Sequence, residues 1–404
     1  MGYEINLGNG EWATGQGGMA MTVTDTDTGV KEALLMGCDR NYNKTAVNKD
    51  GLLYDVLPYE PSVTYINGVG VLNLEPQSTN LISYSEDLSN ASWVKSGVDV
   101  SLSSQVSPSG STNVYLVKES LLDEFHKVNS SLFSTVQGNY YSYSFFVKNN
   151  GVNQVSVTSS NFTDLEINST FDLVNETSTS EKGYSSIERI GDYYRCTASG
   201  LCNLTRTQSL LFYTNREDIA FPFSYQGNGV SGVFLWGLQS EINQIPTSYI
   251  PTDGFTATRL ADTGFKTPDI SKWINSESFS FEFSLQLVKE QVTQVISLAN
   301  SGDGYNNRIE LVFSVGEDIV AITAIGSGSF IENNATVTST LDRSVMSDYK
   351  INFNNGIITV YIDNSLMFTS SNSGVLQGLD KLFLSSFLNT SPLLANVKNI
   401  KITS

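Results

Sequence analysis

The stretch SFSFEFSLQLV, residues 278–288, constrains this chain most. Phe279, Phe281, Phe283, Leu285 and Leu287 fall on one side of an extended backbone, with Ser280, Glu282, Ser284 and Gln286 on the other. A period of two marks a strand buried on one face only, and such a strand needs a second apolar layer to cover it. The same alternation returns at Ile309, Leu311, Phe313 and Val315, and again at Val320, Ile322 and Ala324. In YKINFNNGIITVYIDNSLMF, Asn355-Gly356 separates two alternating runs, and Asp363-Asn364-Ser365 marks a second turn. Asn-Gly is a strong hairpin signal because both residues tolerate positive φ. Two antiparallel sheets packed face to face bury this many one-sided strands.

Residues 71–250 repeat the pattern less regularly. NYYSYSFFVKNNG, VNQVSVTSSNF, SLLFYTN and VFLWGLQSE are strand candidates spaced by polar turns, which points to a second sandwich. The stretch LVKESLLDEFHKV has helical spacing and predicts one helix over 116–128. Before residue 71 the chain is rich in Gly, Asp and Thr. Its apolar positions, such as Leu34, Leu35, Leu52 and Leu53, are too scattered for a large core, so it is expected to dock on something else. The run PTSYIPTDGFTATRLAD, with two prolines and little periodicity, reads as the seam between the sandwiches. A length of 404 residues fits two or three domains, and 40% hydrophobic with only 16% charged residues suits strands and tight turns.

The formal net charge of -18 makes nucleic-acid binding a poor expectation, because the field repels phosphate backbones. No signal-peptide pattern opens the sequence and no apolar run reaches the ~18 residues of a membrane span, so neither membrane insertion nor secretion by its own signal is expected. Cys38, Cys196 and Cys202 are odd in number and encode no disulfide framework; they are read as free buried thiols in preference to a Cys196–Cys202 bridge. The sequons at Asn90, Asn161, Asn168, Asn175, Asn203 and Asn334 are read as an Asn/Ser/Thr-rich surface.

Catalytic machinery is not legible. His126, the single histidine, sits between Glu124 and Lys127 on the expected helix and is read as a solvated surface residue. Zinc sites need Cys and His clusters that the chain lacks. The neighbouring carboxylates Glu86 and Asp87, and Asp123 and Glu124, are read as acidic surface, although carboxylates are numerous enough for a glycosidase pair. TDTDTG at 24–29 and GDGYNN at 302–307 offer oxygen ligands for a structural calcium ion without the full spacing of an EF-hand. GNGVSG at 227–232 is a turn. No cofactor, catalytic residue or metal ligand is assigned. Aromatic residues remain: rings beside Asn, Asp and Arg can hold sugars by stacking and hydrogen bonding, but Trp93, Trp236 and Tyr194 are each read first as core or interface.

The phrases RNYNKTAVNKDGLLYDV, PSVTYINGVGVLNLEPQ, LEPQSTNLISYSEDLSNASWVKSGV and WGLQSEINQIPTSYIPTDGFTATRLAD, in that order, resemble a module of bacteriophage virion proteins, tail fibres and head spike fibres among them. The resemblance spans about residues 40–262. It implies an N-terminal virion-attachment segment over 1–70 and a jelly-roll, carbohydrate-binding-like sandwich over 71–255. Residues 263–404 resemble a laminin G-like or concanavalin A-like lectin domain, chiefly through KINFNNGIITVYIDNSLMF. Strand pattern and resemblance together imply an all-β protein of two antiparallel sandwiches on the outside of a phage particle, tail or head. The resemblance further implies a homotrimer, contacts with other virion proteins and binding to host surface polysaccharide. The alternatives are a purely structural or decorating virion protein, a polysaccharide depolymerase tailspike and a bacterial surface adhesin.

Overall fold

The computed structural model describes residues 3–7, 19–66, 68–216, 224–262, 267–275, 277–287, 293–303, 306–314, 320–340, 342, 345–385 and 393–404, with backbone alone at 3–7, 19–21, 34 and 35. Every regular element among them is a β-strand, and the strands of the sheets pair antiparallel. The chain divides into two compact units. Met1–Asn43, Val56–Pro76 and Ala261–Ser404 form the C-terminal unit; Lys44–Asp55 and Gln77–Leu260 form the middle unit.

In the C-terminal unit, Ser278–Leu287 lies between Ala395–Thr403 and Ser347–Asn354, and the sheet continues through Ile357–Ile362 to Ser365–Thr369. The second sheet runs Ser329–Thr338, Val320–Gly326, Arg308–Phe313, Gln294–Ala299 and Lys381–Phe383. The alternating residues behave as their period requires: Phe279, Phe281, Phe283, Leu285 and Leu287 are buried in one core with Ile309, Leu311, Phe313 and Ile322. Phe283 stacks on Tyr349 at 5.2 Å, and Phe313 meets Tyr349 edge-on at 5.6 Å. Both expected turns close two-residue hairpins with positive φ at both central residues, Asn355 and Gly356 in the first, Asp363 and Asn364 in the second. Val315, and Gly304 and Tyr305 of GDGYNN, lie outside the described residues.

The N-terminal segment does not stand apart as residues 1–70. Tyr3–Leu7 pairs with the end of Ala395–Thr403, Val69–Asn73 pairs with its beginning, and Met19–Asp25 and Lys31–Met36 extend the same sheet. Lys44–Asp55 belongs to the middle unit, so where 1–70, 71–255 and 263–404 were expected, the chain crosses between two units after residues 43, 55, 76 and 260. Too few apolar residues for a core leave these strands dependent on a sheet edge, where backbone hydrogen bonds supply the attachment. A buried ion pair ties the segment down. Arg40 Nε lies 3.3 Å from Asp262 Oδ1, the Arg40 guanidinium also donates to the carbonyls of Val56, Leu57 and Glu60, and the Glu75 amide donates to Asp262 Oδ2 at 2.9 Å. RNYNK, LEPQ and RLAD, far apart in sequence, meet at this point.

The middle unit holds two six-stranded sheets between which the chain passes repeatedly, as in a jelly roll. One is ordered Val98–Leu102, Tyr115–Glu119, Gly232–Glu241, Tyr140–Asn150, Tyr193–Leu201, Tyr184–Ile190; the other Thr177–Lys182, Asn168–Asp172, Gln154–Ser159, Leu210–Asn215, Lys127–Asn129, Val94–Ser96. Phe145 sits edge-on to Phe171 and Phe212 at the centre of its core. Strand alternation sends the adjacent rings to opposite faces, Phe145 inward and Phe146 outward against Trp236 and Tyr249, and the register shifts between Ser144 and Phe146. Trp93 is buried and donates from Nε1 to the Tyr84 carbonyl at 3.0 Å, the core anchor expected of it. All three cysteines are free and buried.

The helix expected over 116–128 is absent. Tyr115–Glu119, Asp123–Phe125 and Lys127–Asn129 are strands there, and the Ser120 hydroxyl accepts the Leu122 amide to turn the chain. Val117 and Val128 point into the core, whereas Leu121 and Leu122 are exposed. Pairing with Gly232–Glu241 and Leu210–Asn215 overrides the weaker helical preference of the segment.

Candidate functional site: a polar groove on an open sheet face

The residues opposite Phe279, Phe281 and Phe283 must face away from the core, and register brings them together with equivalent residues of neighbouring strands. Ser280 stands between Asn352 and Thr403, and Asn352 is opposite Thr359. Glu282 stands between Lys350 and Lys401, with Tyr361 beyond Lys350. Ser284 lies between Asp348 and Lys398. Gln286 is opposite Asn396, which is opposite Asn73. Every residue in these four rows carries a hydrogen-bonding group.

Two adjoining hollows mark this face. The larger, about 560 Å³, is lined by Ser278, Ser280, Asn352, Asn354, Thr359 and Thr403 among others. The smaller, about 230 Å³, is lined by Glu282, Ser284, Asp348, Lys350, Tyr361 and Asn399 among others. A register shift between Glu282 and Ser284, with Asn399 at φ 54°, inserts an extra residue into the edge of the smaller hollow.

Neighbouring contacts hold these groups in place. Lys350 Nζ lies 2.9 Å from Glu282 Oε1, and the Ser280 hydroxyl donates to the same oxygen at 3.1 Å. The Ser284 hydroxyl donates to Asp348 Oδ1 at 2.6 Å and accepts from Asn399 Nδ2 at 3.1 Å. Asn396 Nδ2 donates to Gln286 Oε1 and accepts at Oδ1 from Asn73. Partial burial pushes the Glu282 carboxyl up, but the Lys350 contact, the Ser280 hydroxyl and the Lys401 charge outweigh it and leave it below its ordinary value. Such a carboxyl is ionised at neutral pH. It can accept hydrogen bonds but is badly placed to donate a proton as a general acid. Ordered hydroxyls, amides, ammonium groups and carboxylates on one open face suit a hydroxyl-rich ligand.

The residues singled out from sequence lie elsewhere and serve the fold. His126 is fully buried in the middle unit, where a surface position was expected. Its Nδ1 faces the Gly97 carbonyl at 2.6 Å and its Nε2 the Tyr225 carbonyl at 3.0 Å, so backbone occupies both nitrogens and neither is left for a nucleophile. The expected helix misled that reading, because between two short strands this side chain points inward. Glu86 accepts from Asn113 Nδ2 at 2.6 Å and from the Tyr249 hydroxyl at 3.0 Å; Asp87 accepts from Ser89 and Tyr115. Both are structural acceptors in place of free acidic surface. Asp123 is exposed, while Glu124 accepts from the Ser120 hydroxyl.

Trp236 is fully buried, and Tyr194 is half-buried with its hydroxyl on Glu176. In TDTDTG, Asp25 caps a hairpin turn by accepting the amides of Asp27 and Thr28. Among the described residues no group of three or more His, Cys, Asp or Glu side chains converges on a metal position. No helix among them is long and apolar enough to cross a membrane. GNGVSG is a turn as expected, with Asn228 Oδ1 accepting the amides of Val230 and Ser231.

The groove residues were visible in the sequence as the polar half of the alternation, but they were not recognised as a site. The signal was there in the Ser, Asn, Thr, Lys and Glu residues that alternate in four strands which the hairpins and register place side by side.

No family model matches the chain, and no curated protein matches it. Among solved structures, mouse laminin α1 chain domains LG4–5 align with a TM-score of 0.25 at 7% identity, over 70% of this chain and 87% of that one. The LG1–3 region of the laminin α2 chain aligns with a TM-score of 0.25 at 13% identity, over 67% of this chain and 63% of that one.

Proposed function

We propose that the chain is a non-enzymatic protein of a bacteriophage particle, a tail fibre or head spike fibre displayed on its exterior, and that the open face of its C-terminal unit binds host surface glycan. The groove is the observation that carries this reading. It is a sheet face with two adjoining hollows, lined mainly by polar residues that donate and accept hydrogen bonds as sugar hydroxyls do, with Phe279, Phe353 and Ile357 also at the larger one. The low-lying Glu282 carboxyl favours holding a sugar over protonating a glycosidic oxygen.

The virion assignment draws on the ordered phrases over residues 40–262. Their residues meet in the buried contacts of Arg40, Glu75 and Asp262, which gives those phrases a physical reason to occur together. Weak single-site contacts suffice in a particle that displays many copies, and a homotrimer is the assembly proposed for each fibre. The net charge of -18 suits an exposed component with no role in holding nucleic acid.

The test uses the intact chain on an array of host capsule and lipopolysaccharide glycans, together with an Asn352→Ala, Thr359→Ala double variant. The reading predicts retention of the wild type, loss in the variant at unchanged melting temperature, and no release of reducing sugar. An array without hits, with a tight complex formed only with another virion protein, would replace it by a purely structural role. Reducing sugar released from the polymer would replace it by a depolymerase.

A further inference from the structure

The charges on the groove face are ordered, and the order points to a class of glycan. The larger hollow is bounded on the sheet by the neutral row Ser280, Asn352, Thr359 and Thr403. The next row places Lys350 and Lys401 on either side of Glu282, and the row after it brings Lys398 opposite Ser284. Rows two residues apart along a strand are about 7 Å apart, so a substituent on a sugar held over the neutral row reaches the ammonium groups of the next one. In the row of Lys398, Asp348 stands on the other side of Ser284, and the Asp363 carboxylate beyond it accepts the Asp348 amide at 2.8 Å. The row after that, Gln286, Asn396 and Asn73, is neutral, so cations outnumber carboxylates only in the row of Lys350, Glu282 and Lys401, next to the larger hollow.

The rest of the molecule makes this placement informative. Only 23 residues of the chain are Lys or Arg, against 41 Asp or Glu, yet the row beside the larger hollow sets two lysines, Lys350 and Lys401, about a single carboxylate, Glu282. At physiological salt the overall field is screened within about 8 Å, so a bound ligand responds to the charges beside it and little to the net charge. Lys350 and Glu282 are both partly exposed, with 45% and 36% of their side-chain surface accessible, which leaves the pair able to rearrange around a ligand.

We infer that the groove selects an anionic polysaccharide, with a neutral, hydroxyl-rich sugar over Ser280, Asn352, Thr359 and Thr403 and the carboxylate or phosphate of a neighbouring position against Lys350 and Lys401. This inference rests on the glycan-binding reading and adds the charge of the ligand to it. Glu282 then has a second role: it holds Lys350, feels the charge of Lys401 and competes with the ligand's anion for both.

The experiment measures binding of the full chain, in 150 mM salt, to oligogalacturonate, to dextran oligomers of similar length and to inorganic tripolyphosphate. It is repeated on a Lys350→Gln, Lys401→Gln double variant and on Glu282→Gln, each checked for unchanged melting. A polyol phosphate oligomer in a further arm distinguishes a phosphate from a carboxylate substituent. The inference predicts that oligogalacturonate or the polyol phosphate binds more tightly than dextran. The double lysine variant loses about 10-fold for the anionic glycan and little for dextran, whereas Glu282→Gln gains about 2- to 5-fold. A gain on removing one side chain is an outcome that a merely structural role for Glu282 does not produce. Equal binding of dextran and both anionic glycans, indifferent to the lysines, overturns the inference and leaves glycan binding standing. Tripolyphosphate competing as well as the sugars overturns it in favour of plain charge attraction. If none of the glycans binds, both readings fall together.

Discussion

Each unit contains a long sheet with one face on its core, and the two outward faces have opposite fates. In the middle unit the outward rings Phe146, Trp236 and Tyr193 form a second small core with Val114, Ile190 and Tyr249, flanked by Val47 and Leu53. Trp236 lies 4.8 Å from Tyr249 and donates from Nε1 to Asn113 Oδ1 at 2.9 Å. In the C-terminal unit the corresponding face, built on Ser278–Leu287, keeps a polar surface with two hollows. Aromatic abundance therefore marks packing in this chain. Where rings are dense on a strand they are consumed on both faces, and the face left outside a core is the one with polar residues.

The sharpest way to break this comparison is to attack the aromatic cap. Trp236→Ala should cost about 3–5 kcal/mol, because the ring is fully buried between Phe146 and Tyr249. Denaturant unfolding followed by circular dichroism measures it; a cost under about 1 kcal/mol would mean that the cap is no core. Trp93→Ala should cost a similar amount, since that ring is buried in the main core of the same unit.

The C-terminal unit has an equivalent point of failure at Arg40. Removing one partner of a buried pair leaves the other charge uncompensated, so Arg40→Ala should destabilise by about 3–5 kcal/mol. Proteolysis should then cut first within the N-terminal strands that the pair ties down. Cleavage elsewhere at unchanged rate would show that sheet pairing alone holds them.

Glu241 gives a smaller, pH-dependent effect in the middle unit. Burial pushes its carboxyl up against hydrogen bonds from Ser78 and Thr247 and the charge of Arg259. The folded chain then keeps a proton that the unfolded chain has already lost, so stability falls as pH rises from the ordinary glutamate value through the raised one. Compared with Glu241→Gln, the wild type should gain as pH is lowered from 7 to 4, by at most about 1.4 kcal/mol per pH unit within that window. A stability difference that stays flat with pH would place the carboxyl in a wetter site.

The groove should be the least sensitive region. Asn352→Ala and Thr359→Ala, on partly exposed polar positions, should each change stability by less than about 0.5 kcal/mol. A large loss would reveal a structural role and weaken the contrast between the two faces.

Legibility in the sequence divides along the same line. The C-terminal strands were readable because one face carries polar side chains throughout, which keeps the apolar–polar alternation of the sequence clean from Phe279 to Leu287, although Asp348 and Asn399 cover Ser284. Tyr140–Asn150 is covered on both faces and carries a bulge, so its rings run consecutively and hide which way each one points. The attachment of Tyr3–Leu7, Met19–Asp25 and Lys31–Met36 was invisible because edge pairing is made by backbone groups that leave no side-chain pattern. Leu121 and Leu122 gave 116–128 its helical look from a turn, and that error carried His126 to the surface. Ser280, Glu282 and Ser284 were legible as outward residues. That their face stays open is a property of tertiary packing, since the equivalent face of the middle unit is closed by Tyr249 and its neighbours.

The most direct test titrates a glycan oligomer that the intact chain retains into chain labelled at Tyr residues for NMR, and monitors Tyr361 of the groove beside Tyr193 of the cap. Binding in the groove predicts a saturable shift at Tyr361, none at Tyr193, and loss of the Tyr361 shift in the Asn352→Ala, Thr359→Ala variant at unchanged melting temperature. Saturable binding that moves the middle unit and leaves Tyr361 in place would contradict it.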